Sequence, residues 1–433
     1  MESKILSKQP YKGTDDWYPK DMFLRNYLFN TWSKVAKRYG YEEYDTPIIE
    51  DANLYKVKSG EELANNQLYS FVDKGGREIA LRPEMTPSLA RIIANKKNEL
   101  TFPLRWFNIG RYYRYEKPQK GRKREFFQLN IDILGVPTID AELEIIQFVM
   151  DVMKELKAPK DTYELRINNR YLLEYLFTNI LDVDESIKPK LARALDNYLK
   201  MPLNDFKEYL KEISLRDEQI TKILEYINWS LEDLKKIQND SQGAKQLLDL
   251  FKQLTDLNVS NIKFCPYIVR GLQYYTGTVI ELYDVGGDSN PRALFGGGRY
   301  DDLLEIFGEA KIPAFGLGWG DATTLDYIKT YSLEPEYTSD IDVFLCLMDD
   351  SFKKYVYPLA SILRDNGLKT LVQLTPSKLS NQLKFASSKS IPWVIIIGED
   401  EIEKGVIQLK DMVNREAFLI KKADVIQKIS KIV

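Results

Sequence analysis

The sequence predicts an α+β architecture: a strand-rich antiparallel body with flanking helices, a helical insertion inside it, and a separate C-terminal α/β domain. Three observations predict it. Strand-like runs recur on both sides of a stretch, Tyr171 to Leu257, that carries only charged, helical patterns. Two of those runs are joined by the short basic link "KPQKGRK", which favours antiparallel pairing. Beyond a polar, proline-containing segment at Tyr331 to Asp340, strand-like and helical runs alternate, the pattern of strands covered on both faces. The expected boundaries are 1–330 for the body, 171–257 for the insertion and 338–433 for the last domain.

The elements follow in order. "PKDMFLRNYLFNTWSKVAKRYGY" has apolar residues at helical spacing and stops at a glycine, as an amphipathic helix does. "EEYDTPIIED" alternates but contains Pro47, which predicts an edge or interface strand. "QLYSFVDKGGREIALRPEMTPSLARII" reads as a hairpin turning at Gly75 and Gly76. A helix follows, with Thr86 as its N-cap and Pro87 at its first position. "LRWFNIGRYYRYE" and "REFFQLNIDILG" are the antiparallel pair. After the insertion, "NIKFCPYIVRGLQYYTGTVIELYDV" and "RALFGGGRYDDLL" resume the strand texture. In the last domain "IDVFLCLM", "KTLVQL" and "WVIIIG" are strands, and "KKYVYPLASILRDNG" and "SKLSNQLKFASSK" are helices.

Composition narrows the function. The 433 residues exceed one typical domain, and 44% hydrophobic content supports a substantial core. With 61 basic and 64 acidic residues there is no global basic field, so any nucleic-acid contact must come from local patches. No apolar run approaches the roughly 20 residues that span a bilayer, and the N-terminus has no signal-peptide core, which predicts a cytoplasmic protein without a membrane partner. Cys265 and Cys346 lie in separate apolar runs and read as buried free thiols. The chain contains no histidine at all. That removes the usual general base and every Ser-His or Cys-His arrangement. An enzyme built from this chain must work by positioning and electrostatics, or by carboxylate, lysine or tyrosine chemistry.

Several stretches carry chemistry. In "RYYRYEKPQKGRKREFFQLNID" the predicted turn gathers Lys117, Lys120, Arg122, Lys123 and Arg124 around Pro118 and Gly121. Cations on such a loop suit phosphate recognition. A solvated charged turn would need neither Arg114, Glu116, Gln128 and Asp132 nor the ring pair Phe126 and Phe127, which could stack on a base. This favours a nucleotide site. "LRPEMTPS" sets Glu84 just before a helix, as a surface carboxylate or an acceptor for a ligand ammonium. Gly296, Gly297 and Gly298 interrupt an apolar strand and mark close approach by a ligand or another backbone; the run lacks the P-loop ending. "RGLQYYTGT" combines Arg270 with Tyr274 and Tyr275. On a strand the two rings would point to opposite faces, unless a twist or bulge, for example at Gly277, brings them together.

Together these stretches resemble the class II aminoacyl-tRNA synthetases and, within them, the histidyl-tRNA synthetase family. The first helix with "YDTPIIED" is similar to motif 1, a dimer-interface element, and "RYYRYEKPQKGRKREFFQLNID" to motif 2. "RGLQYYTGTVIE" resembles the histidine-specific signature "RGLxYYtGtvFE", "GGGRYD" its companion strand, and "IPAFGLGWGDATTL" motif 3. The C-terminal domain stands where the family carries an anticodon-binding domain.

The resemblance implies a histidine–tRNA ligase, with ATP and Mg²⁺, L-histidine, tRNA(His) and a homodimer. It implies histidine-binding roles for Glu84, Met85, Thr86, Arg114, Gln128, Asp132, Arg270, Tyr274 and Tyr275. It implies ATP contacts for Arg114, Glu116, Arg122 and Phe126, and catalytic roles for Arg114 and Arg270; no metal ligand from the protein is implied. The chain departs from the common pattern in three places. Asp321, Ala322 and Thr323 follow Gly320 where a motif 3 arginine is usual, as in an archaeal-like subgroup with "GMGD" there, so Arg122 and Mg²⁺ would carry more of the γ-phosphate. Gln273 replaces a frequent aspartate. Asp132 replaces a frequent glutamate and so reaches one methylene less far. The alternative implied by the missing arginine is a non-catalytic histidine sensor, such as the regulatory subunit of ATP phosphoribosyltransferase.

Overall fold

The computed structural model describes residues 6–56, 66–119, 121–269, 274–287 and 292–430. Met1–Glu334 and Pro335–Val433 form two compact units. The first carries strands β1 (Glu42–Glu43), β2 (Ile49–Asp51), β3 (Tyr69–Val72), β4 (Glu78–Leu81), β5 (Leu104–Tyr113) and β6 (Glu125–Leu134). It continues with β7 (Tyr163–Asn169), β8 (Ile262–Phe264), β9 (Thr278–Asp284), β10 (Arg292–Arg299) and β11 (Ala314–Gly320). Eight of them form one sheet in the order β1-β5-β6-β11-β10-β9-β7-β8, and β2-β4-β3 form a small second sheet. All central pairings are antiparallel; only the edge strands β1 and β8 run parallel to their neighbours.

Alternation along each strand gives this sheet two faces. One face is apolar: Phe107, Leu129, Ile131, Leu317, Trp319, Ile280, Leu282, Leu165 and Ile167 are buried together. It is covered by Leu28, Trp32 and Val35 of the helix Pro19–Arg38, by Ile145, Val149 and Val152 of Asp140–Glu155, and by Leu247, Leu250 and Leu254 of Gln242–Asp256. Residues 170–256 hold helices Arg170–Tyr175, Lys188–Asn197, Leu203–Glu212, Asp217–Ile227, Leu231–Ile237 and Gln242–Asp256, and Leu195, Phe206 and Ile223 join the same buried cluster.

Two local expectations change. "EEYDTPIIED" is two short strands in different sheets, because Pro47 lies between β1 and β2 and has no N–H to carry a ladder through. Thr86 is not the cap of its helix but its first residue, with Met85 in the cap position. The Thr86 side chain lies close enough to the Tyr274 hydroxyl to act on it.

The second unit holds β12 (Val343–Leu345), β13 (Thr370–Val372), β14 (Trp393–Ile396), β15 (Val406–Asp411) and β16 (Ala417–Lys421), in the order β13-β12-β14-β15-β16. Buried clusters lie on both faces of this sheet. The β15–β16 hairpin adds an antiparallel edge that the sequence reading did not include. Cys265 and Cys346 are buried free thiols, and no described helix is long and apolar enough to cross a membrane.

Candidate active site

The other face of the large sheet is polar and hollow. One row across six strands reads Asn108, Asn130, Gly318, Gly296, Glu281 and Arg166. The next reads Trp106, Asp132, Gly316, Gly298, Val279 and Asn168. Glycines occupy the middle of both rows, and the neighbouring side chains use the vacated space. A Cβ on Gly316 would meet Asp132 Oδ1 at 2.1 Å, and one on Gly318 would meet Gln128 Nε2 at 2.5 Å. The glycine run of β10 is approached by the chain itself: a Cβ on Gly298 would strike the Tyr275 ring at 2.7 Å, and one on Gly297 the Gly316 carbonyl at 2.4 Å.

Glu84 stands at the edge of this hollow and is buried. Its Oε2 accepts a hydrogen bond from Tyr274 at 2.8 Å, while its Oε1 is buried without a partner. Such an oxygen costs about 1–3 kcal/mol or more if left alone, so the position suits an arriving cation. Asp132, on β6, accepts from the Tyr300 hydroxyl, and burial lifts its carboxyl to about 7 against the lesser pull of that bond. Tyr274 packs at 4.9 Å from Tyr275 and 6.0 Å from Tyr300, ring centroid to centroid. Both Tyr274 and Tyr275 are buried, and both precede β9, which starts at Thr278. Strand alternation therefore does not apply to them, and the expected conflict between their faces is absent. The Met85 side chain is fully buried in the apolar cluster beneath, its sulfur accepting from Thr46 at 3.4 Å, so only its backbone is available to a ligand.

The β5–β6 hairpin rises over one end of the hollow. Arg114 Nε donates to the Pro83 carbonyl at 2.9 Å, which sets this cation beside Glu84, and its guanidinium lies 5.2 Å from the Phe126 ring. Glu116 is largely buried, with an Oε2 that lacks a hydrogen bond and has Arg122 at 3.7 Å. Arg122 and Lys117 are exposed. Lys123 is tied to Asp15, and Arg124 to the Tyr11 hydroxyl (2.8 Å) and the Tyr115 ring (4.0 Å), so these two cations position the hairpin. Phe127 is not a stacking surface for a ligand: the strand period turns it to the opposite face, between Arg25 and Phe29.

At the motif 3 position the helix Asp321–Thr330 begins with a buried carboxylate. Asp321 accepts from the Phe127 N–H at 3.0 Å, and burial raises it to about 6. Thr323 bonds the Leu294 carbonyl (3.3 Å) and lies under Gly121 of the hairpin loop. Arg270, Gln273 and Lys120 lie outside the described residues.

The sequence reading missed several supports. Tyr112 donates to Asn108 and accepts from Asn130, both at 2.9 Å, and fully buried Arg82 bonds Asp45, Thr46 and the Arg111 carbonyl. A signal was available for Asn130, since "QLNID" alternates polar and apolar, and for Tyr300 in "GGGRYD". Arg82 gave none.

A histidyl-tRNA synthetase family model matches residues 13–320, and an anticodon binding domain model matches 342–432. The histidine–tRNA ligase of Leptospira biflexa is 38% identical over 434 residues, covering 100% of this chain and 99% of that one. The chloroplastic/mitochondrial histidine–tRNA ligase of Arabidopsis thaliana is 35% identical over 97% of this chain and 86% of its own. That of Pyrococcus furiosus is 33% identical over 96% and 97%. Among solved structures, a histidyl-tRNA synthetase from Nostoc superposes with a TM-score of 0.83 at 24% identity, covering 99% and 100% of the two chains. An ATP phosphoribosyltransferase regulatory subunit/histidyl-tRNA synthetase from Bacillus halodurans gives 0.72 at 21%, over 91% and 99%. At these identities the two structures speak for the fold alone.

Proposed function

The chain belongs to the histidyl-tRNA synthetase family, and from that premise we propose how its glycine-lined face carries out the reaction. The protein is an ATP-dependent histidine–tRNA ligase. In the proposed arrangement Glu84 and Thr86, with the Met85 backbone, receive the histidine ammonium group. Gln128, Asp132, Tyr274 and Tyr275 enclose its side chain. Phe126 stacks on adenine beside Glu116, Arg122 reaches the distal phosphates, and Arg114 and Arg270 bracket the α-phosphate and the histidine carboxylate. The observation that carries this reading is the buried, unpartnered Oε1 of Glu84, with the Arg114 guanidinium held nearby through Pro83.

The chemistry needs no general base, which suits a chain without histidine. An already ionised carboxylate oxygen attacks the α-phosphorus. The bond to the bridging oxygen breaks and pyrophosphate leaves. A terminal ribose hydroxyl of tRNA then attacks the acyl carbon, its proton passes to a phosphate oxygen of the departing AMP, and AMP leaves. Fixed arginines aimed at the developing phosphoryl charge are the main requirement. Among the described residues no three metal-ligating side chains converge. The described residues therefore offer no protein-only cage, and a magnesium ion would be held chiefly by ATP oxygens.

We further propose a cytoplasmic homodimer, supported by the exposed apolar residues Ile48, Ile49, Phe71 and Val72 on and beside the small sheet. The deciding measurement is histidine-dependent ATP–pyrophosphate exchange. Exchange with histidine and not with other amino acids is expected. Histidine binding without exchange would transfer the chain to the sensor reading, which the absence of an arginine at Thr323 favours and the anticodon-type second unit opposes.

A further inference from the structure

The buried phenols around Asp132 differ in one respect, the fate of the hydroxyl proton. Tyr274 donates to Glu84, Tyr300 donates to Asp132, and Tyr112 donates to Asn108. Tyr44 donates to nothing: its hydroxyl is shut off from solvent and has no hydrogen-bond partner. A donor buried in this way is unfavourable unless something arrives to accept from it. Its ring packs on Trp106 with centroids 5.4 Å apart, and Trp106 is the cross-strand partner of Asp132. The ring is thus set at the Asp132 end of the hollow, against the same cluster as Tyr274, Tyr275 and Tyr300. The electrostatics agree with that placement. Burial, and after it the Asp132 charge, pushes the Tyr44 hydroxyl well above the ordinary phenol range, and Tyr44 in turn acts on Tyr300.

A neutral imidazole presents one N–H donor and one bare nitrogen acceptor. A carboxylate can answer only the first. We propose that Tyr44 is a specificity-determining residue, whose hydroxyl donates to the bare ring nitrogen of the histidine whose N–H is accepted by Asp132. This rests on the histidine reading of the pocket. It gives the donor to a residue outside the signature stretches, and it means that the ring is read at two atoms. A ring with the N–H but without the second nitrogen, as in β-(pyrrol-2-yl)alanine, then loses one of the two contacts.

The test uses the full-length protein and both amino acids. The wild type should prefer histidine over pyrrolylalanine in ATP–pyrophosphate exchange. Tyr44→Phe, which keeps the ring on Trp106, should raise the KM for histidine by about tenfold with a smaller change in kcat, and narrow that preference by about the same factor. Because the chain has no histidine of its own, ¹⁵N-labelled histidine gives the only imidazole signals in the complex. Its bare nitrogen should resonate differently in wild type and Tyr44→Phe. An unchanged preference with coincident ¹⁵N shifts overturns the proposal. So does a wild type that accepts both amino acids equally, a result that needs no variant. A wild type that fails to bind histidine at all removes the histidine reading itself, and this inference with it.

Discussion

Along β6, Leu129 and Ile131 point to one side of the large sheet and Gln128, Asn130 and Asp132 to the other. The two sides are one residue apart in sequence and are built in opposite ways. The helix-covered side is filled: Trp32 and Trp319 meet at 6.2 Å among branched aliphatics. The other is cut back, with Gly296, Gly298, Gly316 and Gly318 spread over two strands and the buried carboxyl groups of Asp132 and Glu281 beside them. One surface serves stability, the other gives up stability for a shaped and charged space.

Substitutions that respect or cross this division should sort accordingly. The largest loss is expected from Gly316→Ala, whose added carbon would overlap Asp132 Oδ1 and lie 2.8 Å from the Ile131 carbonyl. Histidine-dependent exchange should fall by more than about 100-fold, and near-normal exchange would mean that the hollow is not where histidine sits. Glu84→Gln removes the charge of the unpartnered buried oxygen while keeping its shape. A drop of about 30-fold or more in kcat/KM is expected, with thermal stability unchanged or raised. A parallel loss of stability would show that Glu84 holds the fold instead of the ligand.

Leu129→Ala makes the reverse test on the filled face, where Leu129 is wholly buried. It should cost about 2–5 kcal/mol in urea unfolding, while the fraction that remains folded keeps its KM for histidine. The smallest effect concerns pH. Burial lifts Asp132 to about 7, so between about 4 and 7 the native protein holds a proton that the unfolded chain has released. Stability therefore falls as pH rises through that window. Asp132→Asn removes this contribution and should gain on the wild type as pH rises from about 4 to 7. Buried Asp321, raised to about 6, slopes the same way in both proteins. Parallel melting curves for the two across that range would contradict a proton-holding Asp132.

How far the sequence disclosed this site depended on distance along the chain. The hairpin of β5 and β6, the helix after Glu84 and the glycine strand were readable because their signals are local: alternation, a turn, a proline near a helix start. The strand period also separates Phe126 from Phe127 once the register is known, although both rings looked usable in sequence. Tyr274 and Tyr275 were harder. Their placement before β9, in place of on it, is decided by packing against Glu84 and Gly298, residues far away in the chain. The Asp132–Tyr300 bond joins positions 168 residues apart, and nothing local announces it. Tyr44 sits in a stretch that reads only as an interrupted strand, and Arg82 looks like any surface arginine until β5 closes over it.

The glycines of β10 and β11 carry one last implication, for inheritance. A leucine or isoleucine on the filled face has near neighbours, and drift among them keeps volume and oiliness roughly constant. Glycine has no such neighbour, since every amino acid that could replace it brings at least one more carbon. At Gly316 and Gly318 that carbon has no place to go. A lineage carrying this pocket can wander freely behind the sheet, yet in front of it each missense change at these two codons is a departure with no gentle first step.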